Sequence, residues 1–186
     1  MTETQDRILT GAMTVFGRYG LKKTTMDDIA EAAGVSKQCL YLHYAGKNEI
    51  YVAALVNYLQ TRLDSVRESL DHRHDLKIGK RLTLALENWF GRHMDTFSLE
   101  ASDLRSTGNE LAKIETNKFK KELIGLLAAS VQEAFPNRIG AKRGGDIAAT
   151  LFVCGLSWSE PGLSRADFSK RLKMCVAVCL PEEKME

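Results

Sequence analysis

"TTMDDIAEAAGVSKQCLYLHYAGK", residues Thr24 to Lys47, is the stretch that decides the fold. Thr25 stands before a short apolar pattern and Asp28 follows three residues later, which resembles a capping box at a helix start. Ile29, Ala30 and Ala33 give that helix one apolar face, and Gly34 ends it. Ser36 is a good N-cap for a second short helix, running about Lys37 to Tyr44. Leu40 is its core contact, and the polar residues around it look outward. Ala45-Gly46 breaks the chain again before Lys47 opens a longer helix. Two short helices parted by a glycine turn, after a supporting helix, form a helix-turn-helix. In that motif the second helix lies in the major groove of DNA, with its N-terminal residues at base edges. Such a helix must be short, polar on one side and anchored by a few apolar residues on the other.

On the N-terminal side, Ile8, Ala12, Phe16 and Tyr19 form a helical stripe, with Leu9, Met13 and Val15 beside it and Gly20 as its stop. After Lys47, the pattern Ile50, Ala54, Leu59, Leu63, Val66 and Leu70 predicts a long helix to about Leu70. Residues 71–77, "DHRHDLK", read as a polar junction. A helix follows over Ile78 to Phe97, then a short mixed stretch from Ser98 to Asn109. Glu110 to Phe135 reads as a long helix carrying Leu111, Ile114, Leu123, Leu127 and Val131. Residues 136–145 read as a turn, and Asp146–Trp158 and Ser164–Leu180 as two further helices. No β-alternation or internal repeat is visible. The expected fold is all-α with about nine helices: a three-helix domain over residues 1–50, a connecting helix over 47–70, and a helical domain over 71–186.

Composition agrees with a soluble helical protein. Of 186 residues 44% are apolar, 27% are charged and only 3 are proline. The net charge of +2 does not announce a nucleic-acid binder. In residues 1–50 Arg7, Arg18, Lys22, Lys23, Lys37 and Lys47 are balanced by Glu3, Asp6, Asp27, Asp28, Glu31 and Glu49. Between Gly34 and Lys47, however, there are lysines and a histidine but no acid, so the stretch is locally basic. Cys39, Cys154, Cys175 and Cys179 make no CxxC pair, which favours reduced thiols over a zinc site or a disulfide framework. His72 and His74, with Asp71 or Asp75, read as a solvated junction rather than a metal site. No signal peptide or membrane-length apolar run is visible, so a cytoplasmic location is expected. No nucleophile–base pair, glycine-rich phosphate loop or metal spacing points to an enzyme or a cofactor.

Phe16, Gly20, Thr24, Thr25, Ile29, Ala30, Ala33, Gly34, Val35, Ser36, Leu40, Tyr41, His43 and Lys47 fall in one dense order. Over this first third the chain resembles the DNA-binding domain of TetR-type transcriptional regulators. The resemblance implies a homodimer that binds double-stranded DNA at a pseudo-palindromic operator, most often as a repressor released by a small-molecule inducer. By position, Thr25 and Ser36 would cap helices and touch phosphates, and Lys37, Gln38 and Cys39 would open the recognition helix. Tyr41, His43 and Lys47 would hold phosphates, and Tyr44, where the family usually has phenylalanine, would mainly pack. Gln38 and Cys39 replace the common glycine and threonine, which makes them the place to look for individual specificity. Glutamine can pair with adenine in two hydrogen bonds.

The second domain would bind the inducer and dimerise. Trp89, Phe90, His93, Met94 and Phe97 are the expected pocket wall, with Leu111, Phe119 and Leu123 facing it and Phe152 or Trp158 closing the far side. Ala148, Ala149, Gly155 and Ala177 suit close helix approach, so the last two helices are the expected dimer interface. Cys175 and Cys179, four apart, share a helical face and read as buried structural thiols. The competing reading is a helix-turn-helix regulator whose second domain only dimerises or binds a protein partner.

Overall fold

The computed structural model describes residues 2–71, 75–91, 110–159 and 163–181. It is all-α, with eight helices and no strand among those residues. They are α1 (Glu3–Lys23), α2 (Met26–Ala33), α3 (Lys37–His43), α4 (Lys47–Asp71), α5 (Ile78–Phe90), α6 (Glu110–Ala134), α7 (Ala141–Trp158) and α8 (Arg165–Cys179). The chain divides into two compact units. The first takes the described residues up to Thr61 with those of α6 up to Asn117; the second takes Arg62 to Gly91 and the rest from Lys118.

The first unit is built on α1. Thr2 and Gln5 cap its start reciprocally, and Ile8, Ala12 and Phe16 are completely buried. Ile29 of α2, Leu40 of α3 and Ile50 and Tyr51 of α4 complete the core. The Phe16 and Tyr51 rings meet edge-on at 5.2 Å. Gly20 is a kink rather than a stop. It takes φ 76 and ψ 162, and one more turn runs on to Lys23. A side chain would be strained in that backbone conformation. Tyr19, expected on the apolar stripe, is 43% exposed, with the Arg18 guanidinium 5.7 Å from its ring centre.

In the second unit α8 packs on α5 and α7, and α5 also touches α7. Leu82, Leu86, Leu123, Leu127, Leu151, Phe168 and Leu172 form its core. Within α4, all six residues of the expected stripe are buried. Two arginines are buried as well. Arg62 donates to the Trp89 carbonyl and Arg81 to the Leu70 carbonyl, so each guanidinium serves a helix backbone.

Two further expectations are corrected, and a third falls partly outside the described residues. The described part of the fifth helix ends at Phe90, with Gly91 as its C-cap; Phe97 and residues 98–109 lie outside the described residues. Helix α7 begins at Ala141, five residues earlier than the glycines suggest. Gly144 lies inside it, where a Cβ would come within 2.9 Å of the Gln132 side chain. Leu111 and Ile114 are 63% and 49% exposed. The buried ridge of α6 runs through Ala112, Phe119, Leu123 and Leu127, and those two residues sit off its phase.

Candidate nucleic-acid interface

The site grows from the turn between α2 and α3. Gly34 takes φ 63, and its N–H bonds to the Ala30 and Glu31 carbonyls. Arg7 Nη2 reaches over from α1 and donates to the Ala33 carbonyl at 3.0 Å and the Gly34 carbonyl at 2.7 Å. That guanidinium satisfies the carbonyls a helix end leaves open and fixes the turn to α1. The Ser36 hydroxyl then accepts the Cys39 N–H at 3.1 Å and starts α3. Leu40, fully buried, is the sole buried side chain of α3.

Around that anchor the predicted contact residues separate. Ser36, Lys37, Gln38 and Tyr41 are exposed, while Cys39 and His43 are half-buried. Tyr44 caps α3 at its C-terminus and packs against the core of the first unit. Burial, and then the Glu49 charge, pushes its phenol up from the ordinary value. Leu42, absent from the sequence-based set, is 78% exposed on the same helix.

Two lysines carry internal duties that the sequence does not signal. Lys37 Nζ lies 3.0 Å from Asp27 Oδ2, and that hydrogen bond, followed by the charge of Asp27, raises its pKa. Lys47 Nζ donates to the Thr24 carbonyl at 2.7 Å and the Lys22 carbonyl at 3.3 Å, fastening the start of α4 to the α1–α2 connection. An ammonium has three donors, so these carbonyls leave room for a phosphate at Lys47.

Thr25 forms the expected capping box. Its hydroxyl accepts the Asp28 N–H at 3.2 Å, and its own N–H donates to Asp28 Oδ2 at 2.7 Å. The hydrogen bond from the Thr25 hydroxyl, then that from its N–H, hold the Asp28 carboxyl below the ordinary 3.8, with a smaller pull from Lys47. A depressed carboxylate pKa stabilises the folded state above the unfolded value, and this is lost as pH falls through the folded one. Asp28→Ala is therefore expected to melt below the parent protein at pH 5–7. The gap should close as pH drops below 3.8. Thermal melts across that range check it.

Residues 8–54, from α1 into α4, match the family model described as bacterial regulatory proteins, tetR family. Residues 8–54 are thus similar to the DNA-binding domain of the TetR family. Over 88 residues it is 36% identical to the HTH-type transcriptional activator FasR of Mycolicibacterium smegmatis, covering 47% of this chain and 39% of that protein. Over 72 residues it is 32% identical to IcaR of Staphylococcus epidermidis, the negative transcriptional regulator of the biofilm operon icaADBC, covering 39% of each. The TetR-type likeness to these curated relatives thus spans about two fifths of their length. A TetR transcriptional regulator from Legionella pneumophila shares the fold, with a TM-score of 0.77 over 97% of this chain and 99% of that one, at 15% identity.

The expected ligand-site residues do not form one group. Trp89, Phe90, Phe119, Leu123 and Phe152 are buried in the second unit, and Trp158 is half-buried. The Phe90 and Phe152 ring centres are 5.5 Å apart, and a Cβ on Gly155 would press on the Phe90 ring at 2.4 Å. Leu111 faces outward, and His93, Met94 and Phe97, like His72 and His74, lie outside the described residues. A cavity of about 340 Å³ in the second unit has a different lining: Glu87, Gly91, Arg165, Ala166, Phe168 and Ser169.

The cysteine pair of α8 has a third neighbour. Cys175 is pushed up to about 12, first by burial and then by Cys154 of α7 and by Cys179. At neutral pH Cys175 stays a thiol, which suits packing more than nucleophilic chemistry. Among the described residues, no helix is long and apolar enough to cross a membrane.

Proposed function

We propose that this chain is a homodimeric DNA-binding transcriptional regulator, a repressor released from a pseudo-palindromic operator by a small-molecule inducer. The observation that carries the reading is α3: a seven-residue helix held by one buried leucine, with Lys37, Gln38 and Tyr41 exposed on it, inside the stretch that matches the tetR family model. Two such helices, set one turn of DNA apart by a dimer, would read two half-sites.

Support for dimerisation comes from α7 and α8. Val153, Leu156, Met174 and Val178 are exposed apolar side chains on these two helices, and a partner subunit would cover them. Of the small residues expected there, Ala148 and Gly155 are instead buried within the chain, the second beneath Phe90. The ligand site would lie in the second unit, and the cavity of about 340 Å³ there supports that reading. That volume lies at the small end for ligand pockets. Repression is the family's usual sign, although the two relatives named above act in opposite directions by their names.

The test is a binding isotherm on duplexes enriched by the protein from a random pool, repeated over a range of salt. Log affinity should fall linearly with log salt, by about 0.9 for each phosphate neutralised. Lys47→Ala should flatten that slope by about one unit without changing which sequence is preferred. A protein with no sequence preference and no salt slope is not a DNA-binding regulator.

A further inference from the structure

We infer that Leu42 is a second base-reading residue, and that it recognises the methyl group of a thymine about two base steps from the base read by Gln38. The inference rests on the DNA-binding reading above and gives α3 a specific sequence preference.

The argument begins with the helix itself. Leu40 is completely buried and fixes the inner face of α3. At about 100° per residue, Gln38 and Leu42 both fall within about 20° of the direction opposite Leu40. Lys37 and His43 lie back toward the inner side, and Cys39 and Tyr41 flank the ridge. The outermost line of the reader therefore consists of Gln38 and Leu42, one turn apart. Lys37, off that line, is already paired with Asp27, so it is less free than Gln38 to act on a base.

Leu42 is 78% exposed. A lone exposed leucine is ordinary on a protein surface. Here it stands at the crest of the helix that enters the groove, where any polar residue would be equally compatible with α3. A leucine at that crest gains free energy only when something apolar covers it. In the major groove the available apolar group is the thymine C5-methyl, which marks T·A pairs apart from the hydrogen-bonding pattern. Gln38 supplies the complementary reading, with two hydrogen bonds to adenine N7 and N6. Four residues of helix rise about 6 Å, on the order of two base steps at 3.4 Å each.

The experiment uses the full-length protein and a duplex it has selected from a random pool. Each thymine is replaced in turn by deoxyuridine, which removes only the methyl group. One position per half-site should lose about fourfold in affinity, the effect of exposing one methyl-sized group. It should lie about two steps from the position where Gln38→Ala relaxes base preference. Leu42→Ala, whose site is exposed and whose fold should be unaffected, should bind the thymine and deoxyuridine duplexes equally. If Leu42→Ala still responds to the methyl, or if no thymine in the selected duplex is methyl-sensitive, the inference is wrong while DNA binding stands. If the parent protein selects no sequence from the pool, the DNA-binding reading fails first.

Discussion

Leu40→Ala is expected to cost the first unit about 2–5 kcal/mol, the range for emptying a buried leucine site. It should abolish sequence-specific DNA binding altogether. Helix α3 has seven residues and one buried side chain. A helix that short has no stability of its own in water. It persists because the Ser36 hydroxyl caps it and because Leu40 ties it to Ile29, Ile50 and the rest of the core. Truncation removes the tie and leaves a cavity beneath the helix, so α3 should fray while α1 and α2 remain. Hydrogen exchange would show this as faster exchange at the α3 amides than at those of α1. Leu42→Ala is the matched control, since its side chain is exposed and such changes usually fall within about 0.5 kcal/mol. Equal protection of α3 in the Leu40 and Leu42 variants would show that the anchor is not what holds the helix.

What could be read from the sequence was mostly local. The Thr25–Asp28 box and the Ser36 cap join residues three apart, and their hydrogen bonds form where the residue types indicate. The α4 stripe is legible for the same reason, because a period of 3.6 is written in the chain itself. Long-range contacts are not. Arg7 meets carbonyls 26 and 27 residues away and Lys47 one 23 residues away, and no nearby pattern announces either. A lysine that fastens a backbone and a lysine that meets a phosphate look alike in sequence. Leu42 stands outside the sequence-based set, although a period of about 100° per residue already turns it away from Leu40; its 78% exposure is what the structure adds. Leu111 and Ile114 mislead differently. They satisfy a helical period, but the buried ridge of α6 follows Ala112 and Phe119 instead.

Gly11 carries the second large effect. Gly11→Ala is expected to destabilise the first unit, although glycine to alanine inside a helix ordinarily gains about 1 kcal/mol. A Cβ at Gly11 would stand 2.7 Å from the Ala33 nitrogen and 2.9 Å from the Ala32 carbonyl carbon and the Ala33 Cα. These are backbone atoms of α2, so no rotamer change relieves them. Helices α1 and α2 must separate, and overpacking of that kind typically costs about 1–3 kcal/mol. The displaced segment is also the one that Arg7 clamps through the Ala33 and Gly34 carbonyls. Moving it loosens the turn that aims α3, so DNA affinity should fall further than the melting temperature alone would suggest. Gly125→Ala, in α6 with nothing within 4 Å of its added Cβ, supplies the opposite sign and should stabilise the protein. Melting curves and DNA titrations on the two variants separate propensity from contact. Were Gly11→Ala to gain stability as Gly125→Ala does, α1 and α2 would not approach backbone to backbone, and the seat of the recognition helix would have to be built differently.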